Sequence, residues 1–229
     1  KRVVQTGSLN PKEVTVPGVF IDDIVVCENP LEEHRQTSSW YFDPSYCGQA
    51  RVPQGNIPAA SFNERKFIAR RGAMELYHGA VVNLGTGIPN DMVGRVCNEE
   101  GISDDIMITV ESGIYGGVQA GGIDFGIGQN LYAMIGHHEQ MDYYNGAGVD
   151  ITYMGIGELG EDGSVNSTKM GVRCTGAGGF IDITQNAKKV VFLGTFTAGG
   201  AKYKFENRKL EILQEGKIRK MVRQVAQLS

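Results

Sequence analysis

Residues 106–117 read Ile-Met-Ile-Thr-Val-Glu-Ser-Gly-Ile-Tyr-Gly-Gly. Ile106–Val110 is an unbroken β-prone run, as expected of a strand covered on both faces. It empties into a carboxylate, Glu111, and then into a turn of small residues. Upstream, Ala80–Leu84 is a second short apolar run. A glycine loop (Gly85–Pro89) follows it, then a helix expected over Asn90–Glu100 with Gly101 as its stop. Strand, loop, helix and strand in succession indicate an α/β fold, with an open, mostly parallel sheet and covering helices. Ile151–Met154 and Val190–Leu193 add two further buried strands, with a turn at Asp162-Gly163 between them.

Working outward, Asn63 is a candidate N-cap. Phe67, Met74, Leu76 and Tyr77 follow near helical spacing, and Gly79 is a stop. Residues 28–62 hold Pro30, Pro44, Pro53 and Pro58 without periodicity, the pattern of a connector. Residues 13–26 read as two β-type runs split at Pro17-Gly18. The tail from Lys217 places Ile218, Met221, Val222, Val225 and Leu228 on one helical face. The expected division is the end of a preceding N-terminal domain (1–27), a connector (28–62) and a catalytic domain (63–229). A first residue that is not Met, and a last helix face ending at Ser229, lead us to expect part of a longer polypeptide.

The 229 residues are 41% apolar with a net charge of −4. That charge offers no footprint for nucleic acid or for an anionic membrane. Four cysteines without C-x-x-C spacing, and no signal peptide or membrane-length apolar run, fit a reduced, cytoplasmic protein. Glycine, at 32 residues, is about twice its usual share.

The chemistry concentrates in three clusters. Glu111 stands where a buried strand ends, the place where open α/β sheets bind ligands. Its plainer reading is an N-capping or salt-bridged glutamate. Gly113 and its small neighbours would let a substrate reach the carboxylate. Thr175-Gly176-Ala177-Gly178-Gly179-Phe180 can turn successive N–H groups toward an anion or form a simple turn before a β-type run at Ile181–Ile183. Asn83–Pro89, with Gly85 and Gly87, is a βα loop whose helix start could hold a phosphate or carboxylate.

The strings NLGTGIP, VESGIYGG and GAGGF, in this order and spacing, resemble the signatures of the catalytic half of family I coenzyme A transferases. The resemblance covers about residues 63–205, and is nearest to single-chain members acting on propionate, acetate or lactate. It implies that Glu111 is the nucleophile and that Gly176, Ala177, Gly178 and Gly179 border coenzyme A and stabilise an oxyanion. It also implies an acyl-CoA and a short carboxylic acid as substrates, a glutamyl-CoA intermediate, no metal, a missing N-terminal half, and a homo-oligomer. An acyl-CoA hydrolase or a sugar-phosphate isomerase or deaminase on the same scaffold are the alternatives. A ligand sensor is a weaker one, since no basic helix-turn-helix segment is present.

Other features read as decoys. Gly155–Gly160 matches G-x-G-x-x-G but precedes a turn, where a dinucleotide site needs a helix. Adjacent His137 and His138 do not converge as metal ligands do. Arg70 and Arg71 suit an exposed helix face. Asn166 either faces the pocket or holds a turn.

Overall fold

The computed structural model describes residues 3–146 and 148–229. Its central sheet has six strands: β1 (Val81–Leu84), β2 (Met107–Val110), β3 (Ile114–Tyr115), β4 (Ala133–Met134), β5 (Ile151–Gly155) and β6 (Lys189–Leu193), in the order β6-β5-β1-β2-β3-β4. The first four in that order are parallel, while β3 and β4 add an antiparallel edge. Asn83 is level with both Thr109 and Thr152, and Leu193 with Gly155. The parallel strands therefore end at nearly one level.

Helices cover this sheet. Helix α1 (Glu64–Ala73) starts where the Asn63 side chain accepts a hydrogen bond from the Lys66 N–H. Its inward face is Ala69, Gly72 and Ala73, which pack with Val82, Tyr153 and Leu193. Phe67, Met74 and Tyr77, the spacing that suggested the helix, are exposed. Small residues are what fit: a Cβ on Gly72 would lie 3.0 Å from Leu193 Cδ2. After β1, a π-helical turn at Pro89–Val93 leads into α2 (Gly94–Glu99). Helices α3 (His137–Asn145) and α4 (Phe180–Asn186) cover the sheet beside a second cluster of Tyr144, Val149, Met154 and Ile183.

A polar network lies within this core. Thr152 Oγ1 donates to Asn83 Oδ1 at 2.9 Å, and Asn83 Nδ2 donates to Tyr144 Oη at 2.9 Å. Thr109 Oγ1 donates to the Val82 carbonyl at 2.9 Å and lies 2.8 Å from the same Tyr144 hydroxyl. All four residues are fully buried, so each polar group depends on the others. The network ties β1, β2 and β5 to α3.

Three expectations fail for one reason, which is tertiary pairing. Residues 13–26 form no strand but short 3-10 turns, and Val19, Phe20, Ile24 and Val25 are exposed. A β-type run needs a neighbouring strand, and none is present among the described residues. Ile181–Ile183 is helical, because α4 buries Ile183 against the Tyr144 cluster. The tail is not a helix either. Ile218–Arg219 pairs with Thr197–Ala198, and Met221–Val222 pairs with Leu159–Gly160. A further hairpin, Lys202–Glu206 with Lys209–Gln214, turns through Asn207 and Arg208, both at positive φ. Residues 28–62 are irregular apart from single helical turns. They are tied down at intervals, as where Val52 and the Asn130 amide exchange two hydrogen bonds.

Tyr144→Phe should leave Asn83 Nδ2 without its acceptor and lower the unfolding free energy by about 1–3 kcal/mol. A urea melt reads this as a lower midpoint at unchanged slope. An unchanged midpoint would show that the network does not hold α3.

Candidate active site

The carboxyl ends of β1, β2, β5 and β6 open on a cavity of about 760 Å³. Gly85 and Gly87 follow β1, Glu111 follows β2, Ile156 follows β5 and Gly194 follows β6. The opposite wall is the loop from Thr175 to Phe180. The three sequence clusters, up to 95 residues apart in the chain, thus face one space.

Glu111 is half-buried, and among the described residues its carboxylate has no hydrogen bond or salt bridge to a side chain. Burial raises its pKa above the usual carboxylate value, and the charge of His137 lowers it in part. The capping and ion-pair readings therefore do not describe this residue. Its backbone is set by Gly113, whose φ of 100° closes the turn into β3, with its N–H on the Val110 carbonyl at 2.9 Å. A Cβ there would sit 2.2 Å from the Ile135 carbonyl oxygen. Gly113 lies behind the carboxylate rather than on the cavity wall.

The decisive contact is across the cavity. A Cβ on Gly179 would lie 2.6 Å from Glu111 Oε2. The carboxylate therefore rests on bare backbone that any side chain would displace. Gly176 and Gly178 adopt φ of 77° and 55°, which turns the loop without a side chain in the way. Among the described residues, the N–H groups of Gly176, Ala177, Gly178 and Gly179 have no hydrogen-bond acceptor within the protein. Four successive unspent donors beside a desolvated carboxylate are suited to negative charge that develops on a reacting carbonyl.

The remaining candidates sort by geometry. Gly85 keeps β1 close to β5: its N–H donates to the Tyr153 carbonyl at 2.8 Å, and a Cβ would meet Met154 Sδ at 2.7 Å. Gly87, at φ 86°, turns the chain into the π-helical segment. Asn166 takes the turn-holding option. Its side chain donates to Glu158 Oε2 and to the Lys169 carbonyl, both at 2.7 Å, and accepts from the N–H groups of Thr168 and Lys169. Gly155–Gly160 runs from one strand into another, Glu158–Gly160, and has no dinucleotide-site helix. His137 opens α3 and is exposed, yet it is the charge that Glu111 feels. Among the described residues no cluster of three His, Cys, Asp or Glu has metal-binding geometry. Sequence reasoning missed Met141 and Ile183, which pack near the Gly179 position, and Lys220, which lines the cavity.

Two consequences follow. Gly179→Ala should displace the Glu111 carboxylate and cut turnover about a hundredfold, with little change in the melting midpoint. Equal loss of turnover and of fold would point to a structural glycine only. The second concerns pH. A folded-state pKa raised above the unfolded one, about 4.3, means that stability falls as pH rises between the two values. Above the folded pKa the loss is complete. Glu111→Gln should therefore be more stable than the parent at neutral pH, and this advantage should vanish below about pH 4. An advantage independent of pH would contradict a desolvated carboxylate.

No protein-family model matches the chain. Among curated proteins it is 39% identical to caffeate CoA-transferase of Acetobacterium woodii over 228 residues, which is 97% of this chain and 43% of that protein. It is 35% identical to acetate CoA-transferase YdiF of Escherichia coli K12 over 229 residues, 100% of this chain and 42% of that protein. The crystal structure of the acyl-CoA transferase YdiF apoenzyme from Escherichia coli O157:H7 superposes with a TM-score of 0.80 at 34% identity. That match covers 99% of this chain and 41% of that one. A thioester complex of the same enzyme with CoA matches with a TM-score of 0.77 at 36% identity, again over 99% and 41%. The chain spans about two fifths of the length of these relatives. Identity along its whole length and a shared fold make this chain similar to these CoA-transferases over about two fifths of their length.

Proposed function

We propose that the chain is the catalytic half of an enzyme that moves coenzyme A from an acyl-CoA to a free short carboxylic acid, with Glu111 as the nucleophile. The observation that carries this is the Glu111 carboxylate against Gly179, beside four unspent backbone N–H groups. A relative solved as a thioester complex with CoA supports the same chemistry.

The steps are those that the resemblance to family I coenzyme A transferases implies, set on these residues. The Glu111 carboxylate attacks the thioester carbonyl, and the new oxyanion meets the N–H groups of the Gly176–Gly179 loop. Collapse breaks the C–S bond, giving a mixed anhydride on Glu111 and the CoA thiolate. The thiolate attacks the glutamyl carbonyl of the anhydride and releases the first acid as its carboxylate. This leaves a glutamyl-CoA thioester. The second acid's carboxylate repeats the two exchanges in reverse order, and Glu111 is regenerated. A poor nucleophile in water becomes a better one here, because burial strips its solvation and raises its basicity.

Residues 63–229 make up the catalytic unit in this reading, and 28–62 the connector from a preceding domain. The exposed apolar side chains of Val19, Phe20, Ile24 and Val25 fit a surface covered by further protein. So does the two-fifths coverage of the relatives. Four free cysteines fit a reducing, cytoplasmic setting, and a homo-oligomer of the complete protein completes the proposal.

Mass spectrometry of the full-length protein after acyl-CoA treatment should find CoA on the peptide that carries Glu111. Borohydride should then abolish activity, and Glu111→Ala should abolish transfer. Full transfer by Glu111→Ala would overturn the assignment. CoA released steadily in the absence of an acceptor acid would favour a hydrolase on the same nucleophile.

A further inference from the structure

Two cations line the Glu111 cavity, Arg65 and Lys220, among the described residues. Arg65 is spent: its Nη2 lies 2.6 Å from Asp91 Oδ2. Lys220 is not. Among the described residues its ammonium has no salt bridge and no hydrogen bond, although the residue is partly buried. Its backbone is pinned on both sides, the N–H on the Phe196 carbonyl at 2.9 Å and the carbonyl accepting from Leu159 at 2.7 Å. The backbone that carries this positive charge is thus held at the cavity wall, and among the described residues neither Glu64 nor Glu111, which line the same cavity, forms an ion pair with it. A desolvated ion without a partner is costly, so a ligand's opposite charge would be strongly favoured there.

Position narrows the ligand. Lys220 Nζ lies 3.8 Å from where a Cβ on Gly194 would be, which places it at the end of β6. Glu111 stands at the end of β2. In the sheet order these strands are three spacings apart, about 14 Å at roughly 4.8 Å each. A short carboxylic acid at Glu111 does not reach that far. The pantetheine arm does. From sulfur to phosphorus it runs about a dozen bonds, the reach of roughly four extended residues or ~14 Å.

We propose that Lys220 binds a phosphate of coenzyme A whose sulfur end is at Glu111. This deepens the transferase reading and rests on it. The lysine acts as a fixed point charge for the phosphate and leaves the chemistry to the other end of the arm. Burial also holds its pKa below the ordinary lysine value, so it gains by accepting an anion.

The test is equilibrium binding to the full-length protein by calorimetry, with coenzyme A, pantetheine and acetate as probes. Lys220→Met keeps the apolar stem and removes the charge. It should weaken coenzyme A about tenfold or more while pantetheine and acetate bind as in the parent, and Lys220→Arg should recover most of the loss. Unchanged coenzyme A affinity in Lys220→Met overturns the proposal. So does an equal loss for coenzyme A and pantetheine, which would report a damaged pocket, and so does a loss confined to acetate. None of these readouts needs Glu111 to react. A missing Glu111 adduct in the parent would sink the transferase reading while the binding comparison still decides the role of Lys220.

Discussion

The Glu111 carboxylate lies against backbone that has no side chain, and much of the molecule serves that contact. Two surfaces must be right at once. β2 must end at a level that points Glu111 into the cavity, and the loop before α4 must bring Gly179 within reach of it. The first is fixed by pairing, since Asn83, Thr109 and Thr152 are in register across three parallel strands. The second is fixed by packing, since Ile183 and Tyr144 draw α4 and α3 together over β5. The buried network through the Tyr144 hydroxyl joins these two halves of the problem. Its groups are satisfied only when strands and helix are all in place, so the fold and the site are specified together.

Such a site costs stability. Among the described residues nothing pairs with Glu111, and burial disfavours its ionised form. An arginine alongside would have lowered that cost, but it would also have lowered the basicity that the proposed nucleophilic role requires. The loop opposite follows the same logic. Among the described residues its four consecutive N–H groups have no acceptor in the protein, and the loop is exposed or half-buried, so water can serve them until a ligand arrives. Open to the same cavity as the carboxylate, they suit the oxyanion of the proposed reaction.

The sequence made some of this legible and hid the rest for identifiable reasons. The apolar runs at 80–84, 106–110 and 151–154 could be read because strands buried on both faces need no partner's sequence to be recognised; Val190–Leu193, expected to be buried, is an edge strand with only Leu193 buried. Glu111 stood out as a carboxylate at the end of such a run. The helix α1 was found from its Asn63 cap, yet its apolar spacing marked the exposed face, because Ala69, Gly72 and Ala73 make the inner one. The tail was misread because Ile218–Val222 has helical spacing but pairs in short ladders with Thr197–Ala198 and Leu159–Gly160. Those partners lie 20 to 62 residues upstream, beyond any local pattern. The same ladders place Lys220, so an error about secondary structure hid a residue of the cavity. Asn166 shows the reverse. A polar residue near a glycine loop suggested a pocket, but three of its four hydrogen bonds go to the turn at Thr168–Lys169 and the fourth to Glu158 on the paired strand.

Charge placement across the cavity explains why Glu111 and Lys220 can both remain unpaired. In contact, at about 4 Å, opposite charges attract by about 4 kcal/mol at an effective dielectric constant of 20; at about 14 Å the figure is about 1 kcal/mol. At the shorter distance the two would form an ion pair, the carboxylate would lose basicity, and the ammonium would have no need of a ligand. Three strand spacings keep the pair too far apart to quench each other and near enough to share one cavity. The width of a four-stranded parallel edge, set by backbone hydrogen bonding alone, therefore determines how far apart the proposed reacting group and the proposed anchoring group stand. A substrate that carries its charge one long arm away from its reactive carbonyl is the kind that spans that width.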